Sequence, residues 1–107
     1  MKAATENRFL VLMPFDPAEG ICLSQAAHRA GKSSRTIRNW CEQFGLGRRV
    51  GGGVWVVSQV ALAMFLEDDQ VSLAAYLAGD RESFSVVRYF QRFNLSLQMS
   101  LAVTHIR

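Results

Sequence analysis

Apolar positions recur along this chain in two different periods, and the changes from one to the other divide it into elements. Leu23, Ala26, Ala27 and Ala30 follow the i, i+3, i+4, i+7 spacing of one helical face. Ser24 stands where an N-cap belongs and Gly31 where a helix stops. Ile37, Trp40, Cys41 and Phe44 repeat the spacing, with Ser33 placed as N-cap and Gly45 as the left-handed residue that ends the helix. The turn between the two helices is only Gly31-Lys32-Ser33, a helix-turn-helix arrangement, and the small alanines of the first helix let the second pack close.

The period then shortens. Leu46 to Val50 and Val54 to Val57 are β-prone runs around Gly51-Gly52-Gly53, which predicts a hairpin whose tip tolerates positive φ. Ser58 caps a third helix over 59–67, with Val60, Leu62, Met64, Phe65 and Leu66 as core candidates. Asp68-Asp69-Gln70 interrupts it. A fourth helix over 71–78 stops at Gly79. A fifth runs from a Ser83 cap through Val86, Phe90 and Phe93 to about Asn94, and Tyr76, Phe84 and Tyr89 join the expected core aromatics. Before all this, Phe9 to Met13 suits a short strand that Pro14, Asp16, Pro17 and Gly20 bring to an end. At the other end, Leu95, Leu97, Met99 and Leu101 alternate with polar residues as in a strand. Leu95, Met99, Ala102, Val103 and Ile106 fit a helix equally, and the pattern leaves both open. The fold class is mainly α with a small β-hairpin wing: a winged helix-turn-helix with extra C-terminal helices and an apolar tail. Three regions follow: an arm over 1–20, the winged unit over 21–67, and a helical extension with its tail over 68–107.

Composition narrows the functions. Half of the 107 residues are hydrophobic, enough for one small core. No apolar run is long enough to span a bilayer, and Phe9 to Met13 is too short for a signal sequence, so neither a membrane partner nor a targeting segment is expected. Cys22 and Cys41 make no disulfide framework, which suits a reducing, cytoplasmic setting. The net charge of +3 is modest, but it is concentrated. Residues 21–57 hold Arg29, Lys32, Arg35, Arg38, Arg48 and Arg49 against the single acid Glu42, a local net of +5. Such a focus is the electrostatic footprint of a nucleic-acid binder, although a merely solvated face has the same composition.

Placing the second helix on a wheel at about 100° per residue separates its chemistry. Ile37, Trp40, Cys41 and Phe44 gather on one side; Ser34, Arg35, Arg38, Asn39 and Glu42 gather nearly opposite. Arginine can bond guanine O6 and N7 in bidentate fashion, and asparagine can do the same to adenine. Ser33, Ser34 and the helix N-terminus can bond phosphate, and Lys32 in the turn suits a backbone phosphate. Glu42 sits four residues after Arg38, positioned to hold it when no ligand is bound. Arg48 and Arg49 leave opposite faces of a strand, so one of them is placed to reach a groove or a phosphate. The alternative for all these residues is an exposed polar surface without a partner.

Residues 23–42, Leu-Ser-Gln-Ala-Ala-His-Arg-Ala-Gly-Lys-Ser-Ser-Arg-Thr-Ile-Arg-Asn-Trp-Cys-Glu, and 45–57, Gly-Leu-Gly-Arg-Arg-Val-Gly-Gly-Gly-Val-Trp-Val-Val, resemble the excisionase-like branch of the MerR-type winged helix-turn-helix superfamily. The resemblance covers about 21–67. It implies that the second helix enters the major groove of double-stranded DNA while the wing touches an adjacent groove or backbone. Carried over, Arg35, Arg38 and Asn39 match the reading positions, Arg48 and Arg49 the wing strand, and Val60 to Leu66 the supporting helix. The family includes phage and integrative-element excisionases (recombination directionality factors acting with an integrase), transcription regulators and DNA-binding domains of terminase small subunits. The chain departs from the pattern in three places. Its wing tip has no basic residue, the long dimerising helix of ligand-sensing regulators is missing, and 68–107 has no counterpart.

The expectation is therefore a DNA binder of the excisionase type, with a transcription regulator or terminase small subunit as alternatives and a protein-interaction module as the reading from another class. Self-association is assigned to Leu95, Leu97, Met99, Leu101 and Val103, either by offering a strand edge or by packing into a neighbour's groove; the competing arrangement folds the tail back on its own domain. Cys22, Cys41 and His28 lack zinc-ligand spacing, Glu67, Asp68 and Asp69 suit a solvated helix end, and there is no nucleophile–base pair. No cofactor, metal or enzymatic activity is expected.

Overall fold

A computed structural model describes residues 9–95 of the chain. They form a small, mainly helical domain of five helices and a three-stranded antiparallel sheet. The order is β1 (Gly20–Ile21), α1 (Leu23–Ala30), α2 (Ser34–Phe44), β2 (Gly47–Arg49), β3 (Trp55–Ser58), α3 (Gln59–Leu66), α4 (Gln70–Leu77) and α5 (Phe84–Arg92). β3 is central, with β1 on one edge and β2 on the other; Arg48 lies opposite Val56 and Gly47 opposite Val57.

The caps explain where the helices begin. Ser33 Oγ accepts the Thr36 N–H at 3.1 Å to start α2, Ser58 Oγ accepts that of Ala61 at 3.0 Å to start α3, and Asp69 accepts that of Ser72 at 3.1 Å to start α4. Gly31 and Gly45 adopt φ of 68° and 73° and end α1 and α2. Two caps differ from expectation. Cys22, not Ser24, precedes α1, and the Gln25 side chain returns to the Cys22 N–H at 3.1 Å. At α5, Ser83 occupies the cap position, but its hydroxyl caps nothing; Asp80 instead accepts the Ser83 N–H and hydroxyl at 2.8 and 2.6 Å.

The expected strand over Phe9 to Met13 is not formed. Leu12 has φ of 58°, which no strand accommodates, and the segment finds its partners elsewhere. Leu10 N–H donates to Leu77 O at 2.8 Å and Leu12 N–H to the Tyr76 hydroxyl at 2.9 Å. Arg81 lies 4.0 Å over the Tyr76 ring and donates to Leu10 O at 2.7 Å and Met13 O at 2.9 Å. This clasp holds Val11 and Leu12 in the core with Ile37, Leu46, Val60, Met64, Tyr76 and Val86. The third strand of the sheet is Gly20–Ile21 instead.

Several apolar residues assigned to the core from periodicity are not fully covered. Phe44 is 41% exposed, Leu66 45% and Phe84 76%. Leu95, in contrast, is buried in the domain's own core, its N–H donating to Phe90 O at 2.9 Å, and this removes it from the self-association set. Leu97, Met99, Leu101 and Val103 lie outside the described residues. Among the described residues, no helix is long and apolar enough to cross a membrane.

A candidate nucleic-acid interface on the second helix and hairpin

The strong amphipathic split of α2 sets the site. Ile37 and Cys41 are buried, the Cys41 thiol pushed up to about 12 by its apolar surroundings, and Trp40 and Phe44 turn toward Phe65 of α3 with ring centroids 4.8 and 5.1 Å apart. Lys32, Ser33, Ser34, Arg35, Arg38, Asn39 and Glu42 are all exposed. Ser33 spends its hydroxyl on the cap and on Thr36 Oγ1 at 3.1 Å. No hydrogen bond or ion pair within the described residues engages the side chains of Lys32, Ser34, Arg35, Arg38 or Asn39. The Glu42–Arg38 pair expected from i, i+4 spacing is not made. The ion pair among the described residues joins Arg92 and Glu67 on the extension.

The hairpin sets its two arginines apart. A Cβ on Gly47 would stand 2.9 Å from Cys41 Sγ, so the face of β2 and β3 that carries Gly47 and Val57 meets α2. Alternation puts Arg49 and Trp55 on that same face and Arg48 and Val56 on the other. Arg49 is exposed, its Nε donating to Gly53 O at 3.1 Å, so its guanidinium lies along the hairpin tip. Arg48 is half-buried and leans toward the arm, with Nη1 3.5 Å from Val11 O. Of the two hairpin arginines, Arg49 is therefore the exposed one, and both line a shallow concavity with Leu12 to Phe15 of the arm.

Arg29, absent from the sequence-based site, is also exposed on this segment, but Gln59 Oε1 accepts from its Nη1 at 2.8 Å, and Gln59 in turn donates to Ala18 O at 2.9 Å. Its periodicity gave no hint of this tether, because the partner is thirty positions away.

Beneath the hairpin lies a polar node that sequence reasoning also missed. Glu19 is only 2% exposed and accepts hydrogen bonds from Ser58 Oγ at 2.5 Å and from the Tyr76 hydroxyl. Burial raises its carboxyl above the ordinary glutamate value, against the pull of those two donors and of Arg81. The node joins the junction of β3 and α3 to α4, and so fixes the base of the hairpin. Among the described residues, no group of three or more His, Cys, Asp or Glu is arranged to hold a metal ion.

What the surface offers is a row of hydrogen-bond donors and cations on one helix face, without side-chain partners among the described residues, and one exposed cation, Arg49, on the neighbouring hairpin. Compared with known proteins, the chain matches no family model, no curated protein and no solved structure.

Proposed function

We propose that this chain binds double-stranded DNA as a winged helix-turn-helix protein, with α2 as the recognition helix and the β2–β3 hairpin as the wing. The observation that carries the reading is the exposed face of α2. Among the described residues the side chains of Arg35, Arg38 and Asn39 have no hydrogen-bond or ion-pair partner, although each carries donors that match purine edges. Lys32 and Ser34 flank them at the helix start for phosphate contacts, and Arg49 reaches the backbone or groove beside the wing. The role we assign is architectural: an excisionase, or recombination directionality factor, binding in several copies beside an integrase. The sequence resemblance over 21–67 supports that role.

The test is selection of fragmented source-genome DNA by the purified protein, with the Arg35→Ala/Arg38→Ala variant alongside. Duplex affinity should fall steeply with salt for the native chain, and the double variant should bind at least about tenfold more weakly with a shallower salt slope. Enriched short sites beside an integrase attachment sequence support the excisionase role. Enrichment of promoters or packaging sites assigns a regulator or a terminase subunit instead. Equal recovery by both proteins sinks the DNA reading and leaves the interaction module.

A further inference from the structure

An apolar groove of about 460 Å³ opens between α2, α3 and α4, on the side of α2 away from its arginine face. Phe44, Met64, Phe65, Leu73 and Leu77 line it together with Phe9, and Asp68 is the one formal charge among the described residues that line it. A concavity of this size and lining is of the kind that seats side chains of a partner segment. Phe44, at the mouth, is 41% exposed.

We infer that this groove receives residues 96–107 of a second copy of the chain. The segment has the matching composition: Leu97, Met99, Leu101, Val103 and Ile106 are apolar, no acid occurs in it, and its one formally charged side chain, Arg107, complements Asp68. The point of departure favours a neighbour's groove. α5 packs on the Asp69 and Tyr76 side of α4, where Tyr89 donates to Asp69 at 3.0 Å and Phe90 meets Tyr76 with ring centroids 5.7 Å apart. Gln70, Leu73, Ala74 and Leu77, which line the groove, lie around the helix from that side. α5, which Leu95 follows, therefore packs on a different flank of α4 from the groove. Twelve residues span up to about 40 Å when extended, enough to bridge to an abutting domain. Tail into groove is a heterologous contact, which repeats from copy to copy and gives a ring where its rotation closes and a filament where it does not. The inference deepens the array of copies proposed above and rests on that reading only for its use on DNA.

The test is sedimentation equilibrium of the full chain without DNA. Ala74 is exposed within the groove lining, so Ala74→Arg blocks the groove without removing core packing, and Leu97→Ser/Met99→Ser/Leu101→Ser blunts the tail. The native chain should grow in mass with concentration, and each variant should weaken association at least about tenfold. An equimolar mixture of the two should form a one-to-one dimer, since one supplies an intact tail and the other an intact groove. Thermal melting and the Ala74→Ser control establish that the arginine variant is folded. Association that survives Ala74→Arg but not the tail variant means tail-to-tail contact and overturns the inference. So does association indifferent to both. A native chain that stays monomeric, with both variants lowering the melting temperature alike, places the tail in its own groove and overturns it too. Binding to a short duplex at low salt separates the two proposals: Ala74→Arg should leave it within about twofold, and Arg35→Ala/Arg38→Ala should leave association intact.

Discussion

A methyl group added at Gly47 would fall 2.3 Å from the Val56 carbonyl oxygen and 2.9 Å from both Val57 Cα and Cys41 Sγ. Two of these three atoms belong to the backbone of the central strand, so relief requires the hairpin to move off α2. Gly47→Ala should cost about 2–3 kcal/mol in urea denaturation, and a loss under about 0.5 kcal/mol would show the contact to be loose. Glu19 makes an opposite kind of demand. Its carboxyl sits above the ordinary value near 4.5, so the folded state disfavours its charge. The stability this group allows is therefore full below about pH 4.5 and declines as pH rises through the raised value. Glu19→Gln keeps an acceptor for Ser58 and Tyr76 but carries no charge. Its melting temperature relative to the native chain should thus increase as pH rises from 4 toward 7, and a constant difference would mean that the Glu19 carboxyl titrates alike in the folded and unfolded chain. Neither residue could be singled out from the sequence, where Gly47 looks like an ordinary strand residue and Glu19 like an exposed acid before a glycine. Their roles arise from atoms ten and thirty-nine positions away respectively, such as Val57 and Ser58.

Among the elements, those set by local chemistry were legible. α2 begins at Ser33 and ends at Gly45, α3 begins after Ser58, and the hairpin turns at the glycines, because caps, positive φ and alternation act within a few residues. The arm was misread because its order comes from Tyr76, Leu77 and Arg81, more than sixty positions away. An apolar run ahead of a proline satisfies strand statistics without having a strand to pair with. The amphipathic face of α2 was legible for the same reason as its ends, whereas the difference in exposure between Arg48 and Arg49 depends on the arm, whose Val11 O lies 3.5 Å from Arg48 Nη1. The arm also yields a prediction. Arg81→Ala removes both donors to Leu10 O and Met13 O, so amides 10–12 should lose protection from hydrogen exchange well before those of α2. Uniform loss across the domain would mean that the clasp belongs to the global core. The guanidinium is half-buried, and leaving two carbonyls without donors costs about 1–3 kcal/mol.

At the scale of the whole molecule, charge is distributed so that one flank can attract a polyanion without the chain being strongly basic. The +5 of residues 21–57 is offset elsewhere to a total of +3. Arg88, exposed on α5 and lying 5.6 Å over the Phe84 ring, belongs to the other flank. Arg88→Ala should therefore leave duplex affinity at low salt within about twofold, while Arg35→Ala lowers it several-fold more. Equal losses from the two would replace the docked face with diffuse attraction over the entire surface. The Arg81 clasp, finally, bears on the order in which the chain acquires its shape during synthesis. Translation delivers residues 10–13 first, but the guanidinium that holds their carbonyls arrives some seventy residues later. Until Arg81 clears the ribosome the arm has no anchor, while α1, α2 and the hairpin already have theirs. Nascent chains stalled before that point should carry a protease-sensitive leader ahead of a resistant body, and the leader should become resistant only once translation passes α5.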